Sequence, residues 1–369
     1  MIAIASSTRA DWGLLSPLAA ELTRRGIAHK VLASNMHLIP EMGLTVKDIY
    51  AAGETPAELH TASGTPEETF AETSRLYAAW LREHKPEAII ILGDRYEMLA
   101  AASAATITTT PVIHIAGGTV SEGAMDNAIR NAISQLASLH LAETDRCAAR
   151  LEAMGIVPGY IHVTGAIGVW NTQNTALMTR DELQESLGRP LPEKFFVGTL
   201  HAATLDSTTP EQQMAAFVEG LKTYMDRHPE TGAILTYPNN DTDPAPLIAM
   251  LRNLEEESSA RIIVVPSLGM RRYLSAVALS EGVIGNSSSG IVEVASLGVP
   301  TLDIGIRQNG RERALSVIHC DSTPGAIAKG LEVMTMPAIR DLAAKRENPY
   351  ARPNTPTIMA DAIEAFLKK

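Results

Sequence analysis

Residues 282–313, GVIGNSSSGIVEVASLGVPTLDIGIRQNGRER, contain the side chains best suited to binding an anion. A short apolar run at 283–284 predicts a strand, and it leads into a turn of small polar residues at 285–290. Apolar residues with helical spacing follow, and residues 300–304 predict the next strand. Small residues let backbone N–H groups and hydroxyls approach an anion, and the first turn of a helix adds the positive end of its dipole. The turn therefore predicts a phosphate site with four candidate ligands, Ser287, Ser288, Ser289 and Gly290.

Together with the charged residues that follow it, this turn forms a candidate binding site for a nucleoside diphosphate. Glu293 lies one turn into the predicted helix, where its carboxylate can accept hydrogen bonds from a ribose diol. Arg307, Arg311 and Arg313 follow the next strand and can neutralise a diphosphate. An ordinary strand–helix turn, in which the serines only cap the helix, remains the alternative.

Composition limits the partners that the chain can have. Its 369 residues exceed the usual size of one core, so two domains are expected. With 45% hydrophobic and 20% charged residues, the composition is that of a soluble globular protein. The net charge of −11 argues against binding to nucleic acid or to an anionic membrane, so a phosphate site must be a local basic pocket. A membrane-spanning run of about 18 apolar residues is also missing from the sequence.

The two cysteines, Cys147 and Cys320, are far apart in sequence and do not have metal-ligand spacing. They are interpreted as reduced thiols of a cytosolic protein. Residues 1–5 are apolar but too short for a signal peptide, and they predict a first strand. We therefore expect a cytoplasmic protein.

Short apolar strands alternate with helices along the whole chain, which predicts parallel sheets covered on both faces. Predicted strands are 2–5, 28–33, 88–92, 111–115, 160–163, 195–199, 233–235, 262–265, 283–284 and 300–304, and the clearest helices are 12–25, 67–83, 98–105, 126–138 and 357–367. The expected fold is α/β, with two Rossmann-like doubly wound domains at 1–168 and 169–355. The C-terminal helix, within 356–369, is expected to cross back onto the first domain.

Polar residues follow most of the predicted strands. Open parallel sheets bind their ligands beyond the carboxyl ends of the strands. Two such sheets that face a central cleft would therefore bring these polar residues to one substrate.

Six segments give the chain a resemblance to a known family. They are GDRYE at 93–97, HIAGG at 114–118, EGAMDNAIR at 122–130, TLHAATL at 199–205, YPNNDTD at 237–243 and GNSSSGIVE at 285–293. In this order the chain resembles, nearly end to end, the hydrolysing UDP-N-acetylglucosamine 2-epimerases of sialic acid biosynthesis. It is similar also to their relatives that act on diacetylbacillosamine nucleotides in legionaminic acid synthesis. The resemblance implies the glycosyltransferase-B fold, a UDP-sugar substrate and no metal or redox cofactor, and we expect a homodimer or homotetramer.

The chemistry that the resemblance implies is anti elimination of UDP, which leaves a 2-acetamidoglucal, followed by syn addition of water to give the free 2-epimer. Elimination needs carboxylates beside C2 and cations beside the leaving diphosphate. By motif, the implied carboxylates are Asp94 and Asp126. The other implied site residues are Arg9 and Asp11 after the first strand, His201 and Asn239 in the cleft, Ser287 and Ser288 at the phosphates, Glu293 at the ribose and Arg307 at the diphosphate.

Three of these residues have plainer interpretations. Asp94 could cap the helix that follows it, Asp126 is a good helix N-cap, and His201 could be a hydrogen-bonded core imidazole.

The sequence also departs from the family pattern. In the family stretch HIHGGE, the second His and the Glu, a catalytic acid/base, are replaced here by Ala116 and Thr119. The family's RH and HP pairs are Arg130-Asn131 and His201-Ala202.

Several readings remain open. In one, the loop at 117–123 brings Glu122 inward to replace the missing Glu. In the others, the chain acts on a different sugar or only hydrolyses it, binds a nucleotide sugar without catalysis, or transfers the sugar to an acceptor.

Overall fold

The computed structural model describes residues 1–61, 64–122, 126–203, 205–239 and 243–368. Parts of three motif segments, at 123–125, 204 and 240–242, lie outside the described residues. The chain divides into two compact units. Unit 1 comprises Met1–Thr119, Asp126–Trp170 and Arg352–Lys369, and unit 2 comprises Val120–Met125 and Asn171–Ala351.

Unit 1 is built on a parallel sheet. Over the described residues its seven strands are β1 (Ile2–Ser6), β2 (His29–Ser34), β3 (Ala57–Leu59), β4 (Ala88–Leu92), β5 (Val112–Ile115), β6 (Leu139–Ala142) and β7 (Ile161–Val163). Their order across the sheet is β3-β2-β1-β4-β5-β6-β7. Its helices are α1 (Arg9–Arg24), α2 (Val46–Ala51), α3 (Pro66–His84), α4 (Tyr96–Ile107), α5 (Asp126–Leu136), α6 (Asp145–Ala153) and α7 (Ile167–Asn174), which continues into unit 2.

The first strand shows why both faces of this sheet are covered. Ile2 and Ile4 pack in one buried cluster with Leu15 of α1, whereas Ala3 and Ala5 belong to a second cluster on the other face. Because successive strand residues point to opposite faces, an uninterrupted apolar strand needs helices on both sides. The apolar run at the start of the sequence therefore produces a central strand.

Unit 2 contains a second parallel sheet. Over the described residues its six strands are β8 (Lys194–Thr199), β9 (Thr231–Thr236), β10 (Ile262–Val265), β11 (Gly282–Gly285), β12 (Thr301–Ile304) and β13 (Val317–Cys320). Their order is β10-β9-β8-β11-β12-β13. Its helices are α8 (Arg180–Leu187), α9 (Pro210–Arg227), α10 (Ala245–Glu257), α11 (Gly269–Leu279), α12 (Ser288–Val292), α13 (Pro324–Met334) and α14 (Pro337–Ala344).

The last helix, α15 (Thr355–Leu367), belongs to unit 1. Its Met359 and Ile363 are buried in the cluster that contains Leu15. At the surface, Arg25 Nη1 donates to Asp361 Oδ1 over 2.6 Å. Apolar packing and this ion pair hold α15 against α1.

The predicted fold class, two Rossmann-like doubly wound parallel sheets with helices, is confirmed. The sequence had assigned all of 1–168 to the first domain, but in the structure Val120–Met125 groups with unit 2. In this segment the Glu122 N–H donates to the Asn309 carbonyl over 3.2 Å. Among the described residues, no helix has both the length and the apolar character that crossing a membrane requires.

Candidate active site

Asp94 lies just beyond the carboxyl end of β4 and is held by a buried arginine. Arg130 of α5 is 1% exposed, and its Nη2 forms an ion pair with Asp94 Oδ2. Its Nη1 donates to the Thr119 carbonyl over 2.8 Å. The N-cap of α4 is Arg95, so Asp94 does not have the capping role that was its alternative. The Asp94 side chain is 24% exposed, so the guanidinium orients a carboxylate that solvent still reaches.

His114 supports the turn that carries Asp94. Its Nε2 lies 2.8 Å from the Gly93 carbonyl oxygen, and its Nδ1 lies 3.1 Å from Ser134 Oγ. Desolvation by burial lowers the pKa of His114 to about 4, so the imidazole is neutral near pH 7. Because a carbonyl can only accept, Nε2 carries the hydrogen and Nδ1 accepts from the serine. His114 therefore positions the turn and is not charged.

Thr119, at the position where the family pattern has a Glu, lies against the start of α6. Its buried hydroxyl donates to Glu143 Oε2 over 3.2 Å and lies 3.5 Å from Cys147 Sγ. Gly118 makes this approach possible, because it has φ +75° and a Cβ there would meet the Cys147 carbonyl oxygen at 2.2 Å. Glu143 follows β6 directly, and nothing in its sequence context marks it as a site residue, since Glu143-Thr144-Asp145 looks like an ordinary helix start.

Asp11 and Arg9 lie at the start of α1. Asp11 Oδ2 accepts hydrogen bonds from Ser7 N, Ser7 Oγ and Thr8 N at 3.0, 2.8 and 2.9 Å. With Thr8 it forms the capping box of the helix, so this oxygen has a structural role. Arg9 is exposed in the first turn. The part of both residues in substrate binding stays a prediction.

The other two predicted acids lie on either side of residues 123–125. Asp126 is the first residue of α5, four residues before Arg130, and such a spacing puts both on one face of the helix. Glu122 is exposed, and its backbone is attached to Asn309 of unit 2.

In unit 2, Asn286 connects the serine turn to the segment after β8. Its Oδ1 accepts from the His201 N–H over 2.7 Å, and its Nδ2 donates to the His201 carbonyl over 2.8 Å. Gly285 permits the close approach, because with φ +125° a Cβ there would lie 2.0 Å from the Thr199 carbonyl oxygen. Asn286 belongs to the motif GNSSSGIVE at 285–293, but its two hydrogen bonds to the backbone of His201 were not predicted.

Asn286 holds the backbone of His201, and the His201 side chain is a neutral imidazole. Its Nδ1 accepts the Asn239 N–H over 3.0 Å, which leaves the ring hydrogen on Nε2. Desolvation, and after it the positive charge of Arg307, lowers the pKa of His201 to about 3. His201 can therefore donate a hydrogen bond to an anion, but near pH 7 it is not a cationic acid.

The serine turn itself is the start of α12. Ser287 is the N-cap, yet within the described part of the chain its hydroxyl makes no capping hydrogen bond. Ser288 is exposed, and the Ser289 hydroxyl donates to Glu293. Gly290 serves helix–strand packing, since a Cβ there would lie 2.9 Å from Thr301 Cγ2.

The three predicted arginines have different surroundings. Arg307 Nη1 is 3.4 Å from the Asn286 carbonyl oxygen, beside the serine turn. Arg311 Nη2 donates to Ser121 Oγ over 3.3 Å. Arg313 Nη2 donates over 2.7 Å to Oδ2 of Asp303, a buried carboxylate. Arg307 is therefore the one of these three beside the turn, and the diphosphate role of Arg313 stays a prediction.

Two doubly wound parallel sheets, each with charged groups beyond the carboxyl ends of its strands, define an α/β protein with a glycosyltransferase-B-like fold. The family model for UDP-N-acetylglucosamine 2-epimerase matches residues 20–364, and the chain belongs to this family.

Individual relatives agree with this membership. The chain is 28% identical over 326 residues to a GDP/UDP-N,N'-diacetylbacillosamine 2-epimerase (hydrolyzing) of Campylobacter jejuni, with 87% of this chain and 84% of the relative covered. It is 30% identical over 344 residues to a UDP-N,N'-diacetylbacillosamine 2-epimerase (hydrolyzing) of Legionella pneumophila, with coverages of 91% and 89%. The crystal structure of UDP-GlcNAc 2-epimerase from Neisseria meningitidis bound to UDP-GlcNAc has the same fold, with a TM-score of 0.82, 18% identity and full coverage of both chains.

Proposed function

We propose that this chain is a hydrolysing nucleotide-sugar 2-epimerase, which releases UDP and a free 2-epimerised N-acetyl sugar through a glycal intermediate. The sugar is N-acetylglucosamine, giving ManNAc, or a 2,4-diacetamido-trideoxy relative of it. The observation that carries the proposal is that the two units hold different chemical groups at their strand ends. Unit 1 holds the carboxylates proposed for proton transfer, Asp94 beyond β4 and Asp126 at the start of α5, whereas unit 2 holds Arg307 and the neutral imidazole of His201.

The groups of unit 2 suit the leaving nucleotide. Arg307 is next to Asn286 at the serine turn, and its charge contributes to the low pKa of His201. A guanidinium and a neutral imidazole N–H can both donate to a diphosphate, and neither needs to lose a proton. Glu293, which accepts from Ser289, remains the candidate for the ribose hydroxyls.

The groups of unit 1 suit proton transfer at carbon. In the proposed elimination, Asp94 takes the proton from C2, the C–H electron pair forms the C1=C2 bond, and the C1–O bond to UDP breaks. In the addition, the oxygen of water bonds to C1, and an acid delivers a proton to C2 on the same face as the water, opposite to the face from which the first proton left. Asp126 is the candidate for that acid. Glu122, in the segment that groups with unit 2, remains a candidate for the function of the missing Glu.

The hydrolysing character is supported by the names of the Campylobacter and Legionella relatives, which share 28% and 30% of their aligned residues with this chain. Both names specify diacetylbacillosamine nucleotides, which favours a 2,4-diacetamido sugar among the possible substrates. We also propose a cytoplasmic location, because Cys147 and Cys320 are free thiols and thiols persist in reducing compartments.

The test is incubation with UDP- and GDP-linked N-acetyl sugars in D2O, followed by mass spectrometry and NMR of the products. An epimerase that acts through a glycal must release the free sugar with deuterium at C2 and inverted configuration there. A product that retains protium at C2 would identify a simple hydrolase, and sugar transferred to an added acceptor would identify a glycosyltransferase. Nucleotide-sugar binding without turnover would favour the binding-protein reading.

A further inference from the structure

Asp94 and Glu143 belong to one hydrogen-bonded chain within unit 1. Asp94 is paired with Arg130, whose other nitrogen donates to the Thr119 carbonyl, and the Thr119 hydroxyl donates to Glu143. The order is thus acid, cation, threonine and acid, with the threonine carbonyl accepting from the cation and the threonine hydroxyl donating to the second acid. Only Asp94 of the two acids had been predicted from the sequence.

This chain of contacts lies at the edge of the sheet where ligands bind. Its two acids and Thr119 follow β4, β5 and β6, which are neighbours in the sheet. Asp94 is two residues beyond β4, and Glu143 comes immediately after β6. The carboxyl edge of an open parallel sheet is the usual place for substrate, so Glu143 is as well placed as Asp94 for chemistry.

The surroundings of the two acids suit them to different tasks. Asp94 faces a buried guanidinium, whereas Glu143 receives a neutral hydroxyl. Pairs of carboxylates in contrasting surroundings commonly divide the acid and base steps of a reaction. The hydroxyl of Thr119 already directs its hydrogen at Glu143, so its oxygen can accept another hydrogen as that one leaves.

We propose that Glu143, acting through Thr119, accepts the proton of the water that adds to C1. The water oxygen forms its bond to C1 while one water proton moves to Thr119 Oγ1, and the hydroxyl hydrogen of Thr119 moves to Glu143 Oε2. Glu143 then returns the proton to solvent. This inference rests on the proposed function. A threonine at position 119 cannot act as a base by itself, and the inference assigns that role to Glu143.

The proposal separates the two halves of the reaction, because elimination of UDP does not require Glu143. The expected effect of Glu143→Gln is therefore a hydration step slowed by about 10²–10⁴-fold, with release of 2-acetamidoglucal in place of the free sugar. Gln keeps an oxygen that accepts from Thr119, so a merely structural contact would survive this change. Thr119→Val should also release the glycal, whereas Thr119→Ser, which keeps the hydroxyl, should release free sugar.

The experiment measures UDP release and the ratio of glycal to free sugar by NMR, with Glu152→Gln as the matched control. Glu152 is an exposed acid on α6, the helix that follows Glu143, and its loss should leave the ratio unchanged. The double variant Thr119→Val/Glu143→Gln should be no worse than either single change, since both interrupt one relay.

Two different failures are distinguishable. A wild-type protein that releases UDP and free sugar, together with an unchanged ratio in Glu143→Gln and Thr119→Val, would overturn the relay and leave the proposed function intact. A wild-type protein that releases no UDP from the nucleotide-sugar panel, or retains protium at C2, would overturn both.

Discussion

Replacement of Gly118 by alanine tests whether the loop that holds Thr119 is fixed against α6. Gly118 has φ +75°, and a Cβ there would lie 2.2 Å from the Cys147 carbonyl oxygen and 2.9 Å from its carbon. Gly155 offers a matched control in the same unit, because it has φ +90° and nothing lies within 4 Å of its Cβ position among the described residues. A comparison of Gly118→Ala with Gly155→Ala therefore separates the energetic cost of backbone strain from that of the steric clash.

The two expected losses follow from these distances. An alanine in the left-handed region costs about 1–2 kcal/mol, partly offset by the lower entropy of the unfolded chain, so Gly155→Ala should lower the free energy of unfolding by about 1 kcal/mol. At Gly118 the new carbon must also move by about 1 Å to reach an ordinary C···O distance. Because the obstacle is backbone, an overpacking cost of about 1–3 kcal/mol adds to the strain, for a total of about 2–4 kcal/mol.

Tryptophan fluorescence during urea denaturation measures the loss of stability of unit 1, to which Gly118 belongs. The three tryptophans of the sequence, Trp12, Trp80 and Trp170, all belong to unit 1. A shift of the midpoint at constant slope reports stability directly. If Gly118→Ala and Gly155→Ala unfolded within about 0.5 kcal/mol of each other, the loop would not be held against α6 as described.

Three further changes test the proposed site. Asp94→Asn should lower kcat by about 10²–10⁴-fold and leave UDP affinity unchanged, as steady-state rates and calorimetric titration would measure. Arg307→Ala and Glu293→Ala should each weaken UDP binding by about 1.5–3 kcal/mol, the value of a charged hydrogen bond, in the same titration. His201 has a folded pKa of about 3, below its unfolded value of 6.5, so the unfolded state binds the extra proton between these pH values and stability falls as pH falls through them. His201→Gln should remove about 1.4 kcal/mol per pH unit from that slope, measured by urea denaturation followed by circular dichroism.

Each of these predictions has an outcome that contradicts it. Asp94→Asn with wild-type turnover would remove the carboxylate from the chemistry. For UDP binding, Arg313→Ala distinguishes the two roles of Arg313: its pairing with buried Asp303 predicts a loss of stability, whereas its predicted diphosphate role requires a loss of UDP affinity. Equal losses of UDP affinity from Arg307→Ala and Arg313→Ala would show that both contact the nucleotide. An unchanged pH slope in His201→Gln would contradict the neutral state of His201 in the folded protein.

The strands that the sequence predicted best are those whose residues are all apolar. Residues 88–92 and 262–265 were predicted with the bounds that the structure has. Three strands were missed: β6 and β13, which contain His140 and His319, and the three-residue β3. A histidine alone does not account for the misses, because β5 and β7 also contain one and were predicted. His140 is buried, with its pKa lowered to about 4 by desolvation, so it occupies a core position as a neutral ring. Composition alone does not distinguish such a histidine from a surface one.

The candidate site was predictable where a short segment carries it and unpredictable where distant segments meet. The turn with Asp94 and the serine turn were recognisable as motifs. The contact of Thr119 with Glu143 joins residues 24 apart, and the hydrogen bonds of Asn286 to the backbone of His201 join residues 85 apart. Such contacts follow from strand order, since β4, β5 and β6 are neighbours and so are β8 and β11. A single sequence specifies its strands more clearly than the order in which they pair.

The two units differ in how much their sites can change while the fold is kept. In unit 2, much of the site depends on backbone groups. The Asn239 N–H donates to His201 Nδ1, and the backbone at Gly285 lies close to the Thr199 carbonyl. A single substitution therefore cannot easily move a side chain of this site to another strand. In unit 1, the acids Asp94 and Glu143 are side chains that follow β4 and β6, the two neighbours of β5. Neighbouring strands lie about 4.8 Å apart, a separation that a glutamate side chain can span. A carboxylate at the end of β6 can therefore serve the end of β5, which explains how position 119 can be a threonine while Glu143 supplies the base.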